Sequence, residues 1–192
     1  MLFNEAVAAV QAKLKRPEKT QIVMNEINDA INFFSSDLNS NRDVEEILLS
    51  IDPVEYTQAI PLTSLPRYRK MQYIRRSGTR KYLTYLDVKK MFTTNCDMQD
   101  KWYLAGSSIK ISMTELASAL DIGYYQYPPI LTMVDGNNSH WLLDQAWPVI
   151  VNRALAKCFA DIGDMQESAK NEGYAVAAWL SKRADLEAEA TQ

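Results

Sequence analysis

Between Arg67 and Lys90 the chain sets nine cations (Arg67, Arg69, Lys70, Arg75, Arg76, Arg80, Lys81, Lys89 and Lys90) within 24 residues, interleaved with Tyr68, Tyr73, Tyr82 and Tyr85. Cations and rings at that density can contact phosphates without reading base sequence, because backbone contacts carry affinity rather than sequence information. They can equally meet an acidic protein surface, including the acidic ends of neighbouring copies. The third reading is a solvated strand face whose arginines pair with nearby acids. The rest of the chain leans the other way. Met1 to Glu55 holds ten acids against five Lys or Arg, Tyr56 to Lys90 nine cations against Asp87 alone, and Met91 onwards thirteen acids against seven cations. A net charge of −3 over the whole chain argues against tight, free-standing DNA binding.

Bond-making chemistry has little to work with. His140 is the sole histidine, so any Ser-His-Asp set would rest on it alone. Its neighbours Asn138, Ser139 and Trp141 suggest a loop or helix-entry residue. There is no Cys-x-x-Cys, no histidine pair and no acidic loop at calcium spacing, so no metal site is expected. No Gly-x-Gly-x-x-Gly or Gly-x-x-x-x-Gly-Lys run offers backbone amides to a phosphate. Six glycines leave few tight loops for approaching a ligand. The chain reads as a non-enzyme without a cofactor.

At 192 residues the chain is one domain, or one domain with an insertion. No apolar run reaches the roughly 20 residues of a membrane helix. Glu5 stands where a leader peptide carries positive charge, so no leader is expected. With only Cys96 and Cys158, the latter on an apolar helix face, a reducing compartment is the default.

The elements that must position these residues follow from periodicity. Ile150, Val151, Ala154, Leu155, Cys158 and Phe159 recur at the spacing of one helical face. Pro148 fits only in a first turn, which starts that helix near Asp144 to Trp147. Gly163 ends it, and Asp164 with Glu167 caps the next, from about Met165 to Ala190. The short connection makes the two antiparallel. At the other end, Phe3, Val7, Val10 and Leu14 mark a first helix that Arg16-Pro17 breaks. Ile22, Val23, Ile27, Ala30, Ile31 and Phe34 mark a second, running to about Ser36.

Between the helix pairs the period shifts towards 2. Val44 to Ile51, Tyr56 to Ile60, Arg67 to Arg76, Lys81 to Leu86 and Ala117 to Tyr127 read as strands. A helical turn fits Asp87 to Phe92. Trp102 to Ala105, Gly106-Ser107 and Ser108 to Met113 form a hairpin with Ile109 and Ile111 on one face. The expected class is α+β: helices over 1–40, a β-rich antiparallel, barrel-like insertion over 41–137, and a helical hairpin over 138–192 completing one composite domain. The last helix would run roughly 40 Å, and its acidic end, from Asp185 on, is disfavoured by the macrodipole. That end is expected to fray or to dock on a partner.

Three stretches carry a resemblance. Phe3 to Glu18, with its helix broken at Arg16-Pro17, Leu65 to Arg75, a proline followed by a basic strand, and Trp147 to Gly163 together resemble the head-to-tail adaptor (connector) proteins of tailed bacteriophages. The helix, β-block, helix order is also similar to that of short-tailed phage adaptors. The resemblance implies a structural virion protein made in the host cytoplasm, without enzymatic activity. It would form a ring, typically of twelve copies, between the portal and the tail nozzle or neck. Packaged double-stranded DNA would pass through that ring without sequence-specific contact, and no membrane is involved. It further implies a portal contact on the last helix, at Trp179, Lys182, Arg183, Leu186, Glu187 and Glu189. Neighbour, tail or channel contacts would fall at Arg67, Arg69, Lys70, Arg75, Arg76, Arg80 and Lys81. The alternative is a small nucleic-acid-binding module using the same basic, tyrosine-rich strands.

Overall fold

The structure, a computed structural model, describes residues 1–91, 97–134 and 138–190, with side chains omitted at 90, 91 and 188–190. Phe92 and Cys96, and the start of the loop at Asp135, lie outside the described residues. The chain divides into two compact units: Met1–Asp43 with Tyr127–Gln192, and Val44–Gln126. The class is α+β, with helices at both ends and sheets in the middle.

The first unit is built from α1 (Phe3–Leu14), α2 (Thr20–Leu38), α4 (Trp141–Gln145), α5 (Trp147–Asp161) and α6 (Met165–Ala190); α3 (Val88–Met91) belongs to the second. Lys15 and Asn39, both left-handed, close α1 and α2. Pro17 opens a 3-10 turn, and α2 begins only at Thr20. Pro148 sits in the first turn of α5, where its missing N–H costs nothing. Gly163, at φ 83°, ends the helix, and the Asp164 carboxylate accepts the Glu167 amide at 3.1 Å to open α6. The apolar stripes of α1, α2 and α5 converge in one core, with Ile150, Val151, Ala154, Leu155 and Cys158 buried and Phe159 packed at its edge.

Two features of this unit lie outside the periodic pattern. Trp141–Gln145 is a short helix just ahead of the expected helix start near Asp144 to Trp147, too brief to show a helical period. Residues 127–134, assigned by pattern to the insertion, belong to the helical unit. Leu131 is fully buried there, and Asn28 holds its backbone, accepting from its N–H at 2.8 Å and donating to its carbonyl at 3.1 Å.

The second unit holds two sheets. β1 (Val44–Ser50) and β3 (Tyr68–Arg76) flank β7 (Ala119–Gln126), all antiparallel. β2 (Thr57–Pro61), β6 (Ser108–Ser112) and β5 (Lys101–Ala105) form an antiparallel meander, to which β4 (Thr84–Tyr85) adds in parallel. Ile109 and Ile111 are buried as the alternation predicts. Ile60, Met71, Ile74, Trp102, Leu120, Ile122 and Tyr124 join them in a core drawn from both sheets.

Of the expected antiparallel sheet or barrel-like form, the described strands take the sheet form, and no closed barrel is found among them. Closure needs an unbroken ladder, and the Lys81 to Leu86 stretch gives a bridge from Tyr82 to Arg75, the two residues of β4 and single backbone bonds from Leu83 to Ile74 and from Leu86 to Trp102. Gly123 in β7 has a further role. A Cβ there would lie 2.4 Å from the Tyr73 ring, which crosses β7 so that its hydroxyl donates to Glu46 on β1.

Candidate functional site

The β unit carries the basic block, and its cations divide by what they touch. Arg75 on β3 reaches across β7: its Nε donates to Asp121 at 2.9 Å and its Nη2 to Glu46 at 3.3 Å. The hydrogen bond to Asp121, with both carboxylates nearby, raises the Arg75 pKa above its ordinary value. Arg76, next in the strand, points to the opposite face and is 6% exposed. Its Nη1 lies 2.8 Å from the Glu115 carboxylate, while its Nε is buried without a hydrogen-bond partner. Lys81 donates to Asp100 at 2.7 Å, and the amide and hydroxyl of Thr114 converge on the same carboxylate. Burial pushes the Asp100 carboxyl up, but these bonds outweigh it and hold the pKa at about 2.

The remaining cations face outward or stack. Arg67, in the left-handed conformation before β3, donates to Gln126 and is exposed. The Arg69 guanidinium lies 5.6 Å from the centre of the Tyr125 ring. Lys70 and Arg80 are exposed and form no ion pair among the described residues. Arg75, Arg76 and Lys81 thus pair with acids of the same unit, the two arginines from opposite faces of β3. Sequence could not show this, because Glu46, Asp100, Glu115 and Asp121 are remote in the chain.

Two of the α6 residues expected at a portal contact are buried. Trp179 is 6% exposed and Leu186 is 5% exposed, both in the core of the helical unit. The Trp179 indole packs at 4.8 Å from the Phe34 ring, and its N–H donates to Asp37 at 2.8 Å. Arg183 donates to the same Asp37 at 3.0 Å and to Glu187 at 2.6 Å. Lys182 lies 3.9 Å from Asp185. The helix end is therefore docked on its own unit as far as Leu186, because an indole and a leucine on one face outweigh the adverse dipole. Glu187 is exposed, and the side chain of Glu189 lies outside the described residues. The exposed face nearby presents Tyr174, Val176 and Leu180 instead.

His140 turns out to be a buried cap. It precedes α4 in extended conformation, and its Nδ1 accepts the Leu142 amide at 3.3 Å. Its Nε2 lies 3.7 Å from Asp43, which also accepts from Ser35 Oγ and from Trp141 Nε1, both at 2.6 Å. Through Asp43 these bonds tie α2 to α4. Burial also raises the Cys158 thiol to about 11, well away from a reactive thiolate. Among the described residues no group of three or more His, Cys, Asp or Glu could hold a metal ion. Among them, too, no helix is long and apolar enough to cross a membrane.

No protein-family model matches the chain, and no curated protein sequence matches it either.

Proposed function

We propose that this chain is a structural virion protein that joins copies of itself into a ring between the portal and the tail of a tailed bacteriophage. The ring extends the DNA channel and carries out no chemistry. The observation that carries the reading is the plan of the chain: both ends build one helical core, and Val44–Gln126 leaves that core to form its own. A helical unit built from both ends of the chain, with a separate β unit formed between them in sequence, is what the adaptor resemblance implies. Internal pairing of Arg75, Arg76 and Lys81 favours this reading over a nucleic-acid module, since fewer cations remain for phosphates. Contacts within a ring are heterologous, so an outward basic surface meets a different surface of the next copy. The outward residues Arg67, Lys70 and Arg80 suit that role. The portal contact falls to the exposed side of α6, around Leu180 and Glu187. Negative-stain imaging of the chain mixed with its portal should show ring-shaped particles. A chain that stays monomeric with portal present, yet shifts duplex DNA in a salt-sensitive way, would overturn the ring in favour of the nucleic-acid module.

A further inference from the structure

Among the described residues, β1 pairs with β7 alone and β2 with β6 alone, and no backbone bond joins β1 to β2. The bonds that continue each ladder show which groups are left over. The Ile51 N–H donates to the Ser118 carbonyl at 3.0 Å. Alternation along an antiparallel pair then turns Ile47 and Leu49 to β7 and leaves the amides and carbonyls of Glu46, Leu48 and Ser50 on the open side. On β2, Met113 donates to Tyr56 and Leu62 to Ser107, both at 2.9 Å. Gln58 and Ile60 therefore face β6, and Thr57, Ala59 and Pro61 face outward. Pro61 has no N–H to offer there, and its carbonyl accepts from Ser64 at 2.6 Å, so it closes the edge at that end.

A free edge is a template for another strand, and proteins commonly blunt it with a lysine, a proline or a bulge. β1 has none of these. Its register with β7 runs unbroken over seven residues, and Leu48, near its centre, is 65% exposed. The two edges differ in charge. Glu45 and Glu46 are exposed on β1, and Glu45 forms no ion pair among the described residues, whereas β2 carries no charged side chain. β1 laid on a second β1 would gather four glutamates on one ladder, and β2 on a second β2 would set a proline at each end of it. β1 on β2 avoids both. A foreign strand would fill one edge and leave the other bare, whereas a unit with two free edges repeats the same contact from copy to copy.

We propose that β1 of one copy pairs antiparallel with β2 of the next, so that neighbouring copies join through a continued sheet. Leu48 lies opposite Ala59 and Ser50 opposite Thr57, all four turning their backbone groups to the shared edge, with Ile47 beside Ile60 on the core side. The inference rests on the ring reading and names the neighbour contact within it. The test mixes two variants of the full chain, Leu48→Cys and Ala59→Cys, each also carrying Cys96→Ser, with portal in a glutathione redox buffer. Opposed residues of an antiparallel pair have Cα atoms about 5.5 Å apart, within the span of a disulfide. Linked peptides are identified by mass spectrometry, and the unaltered chain with portal is imaged in parallel. A disulfide between positions 48 and 59 is expected, at least about tenfold in excess over 48–48 or 59–59 links. Leu48→Lys, which charges the edge, should cut ring formation several-fold with thermal unfolding unchanged. Amide exchange at Leu48 and Ala59 should slow on assembly, while Ile47 and Leu49, already bonded to β7, should change little. Rings that form without the 48–59 link overturn the edge contact and leave the ring standing. The 48–59 link in open chains of copies, without rings, supports the edge contact and counts against the ring. Links between like variants only, or neither rings nor links, overturn the edge contact.

Discussion

The helical unit and the β unit are held together by different means. In the helical unit, whole faces of α1, α2 and α5 are apolar, and polar ties occur at the seams: Asn28 on the Leu131 backbone, Trp141 on Asp43, Trp179 on Asp37. In the β unit each strand offers only a few inward side chains, so the core is smaller and charge pairs cross between strands beside it. Arg76 is nearly enclosed, Arg75 bridges two carboxylates, and Asp100 collects Lys81 and Thr114. A helix three or more turns long presents a continuous stripe, whereas a short strand divides its residues between two faces. Cations of the basic block consequently help hold the β unit together.

The largest expected loss tests the helical side. Trp179→Ala removes the indole from Phe34 and strands Asp37, and should cost about 3–5 kcal/mol in urea unfolding. On the β side, Arg76→Glu buries an acid near Glu115 and should cost about 3 kcal/mol or more. If it unfolded no more easily than the unaltered chain, the charge pairs would be ornamental and the contrast between the units would fail. Gly123→Ala forces the Tyr73 ring away from β7 and should cost about 1–3 kcal/mol. Most of that cost should disappear in a Tyr73→Ala background, because the clash is with that ring alone. Acid sharpens the comparison further. The Asp100 pKa is depressed to about 2 from an ordinary value of 3.8. Its contribution is therefore complete above about pH 4 and is lost as pH falls from there towards 2. Asp100→Asn should flatten that part of the stability curve, as measured by urea unfolding at a series of pH values. The smallest effects belong to the outward cations: Lys70→Glu and Arg80→Glu should change stability by less than about 0.5 kcal/mol.

Much of the helical unit is legible in the residues themselves. Arg16-Pro17, Pro148, Gly163 and the spacing from Ile150 to Cys158 each fix a boundary or a face through local sterics and burial. The hairpin at Gly106, at φ 59°, and the alternation of Ile109 and Ile111 are legible for the same reason. The candidate sites are less so. Arg75 and Lys70 are both cations on one basic strand, and nothing in their type separates a paired guanidinium from an outward ammonium.

The order of residues alone determined the α+β class, the ends of α1 and α5 and the apolar faces, since φ/ψ limits, capping and periodic burial act within a few residues. Tertiary structure alone decided which arginines find acids, that Trp179 and Leu186 turn inward, that the sheets stay open, and that Leu131 inserts among the helices. Those outcomes are set by pairs far apart in the chain, whose meeting depends on how the elements pack rather than on any local pattern.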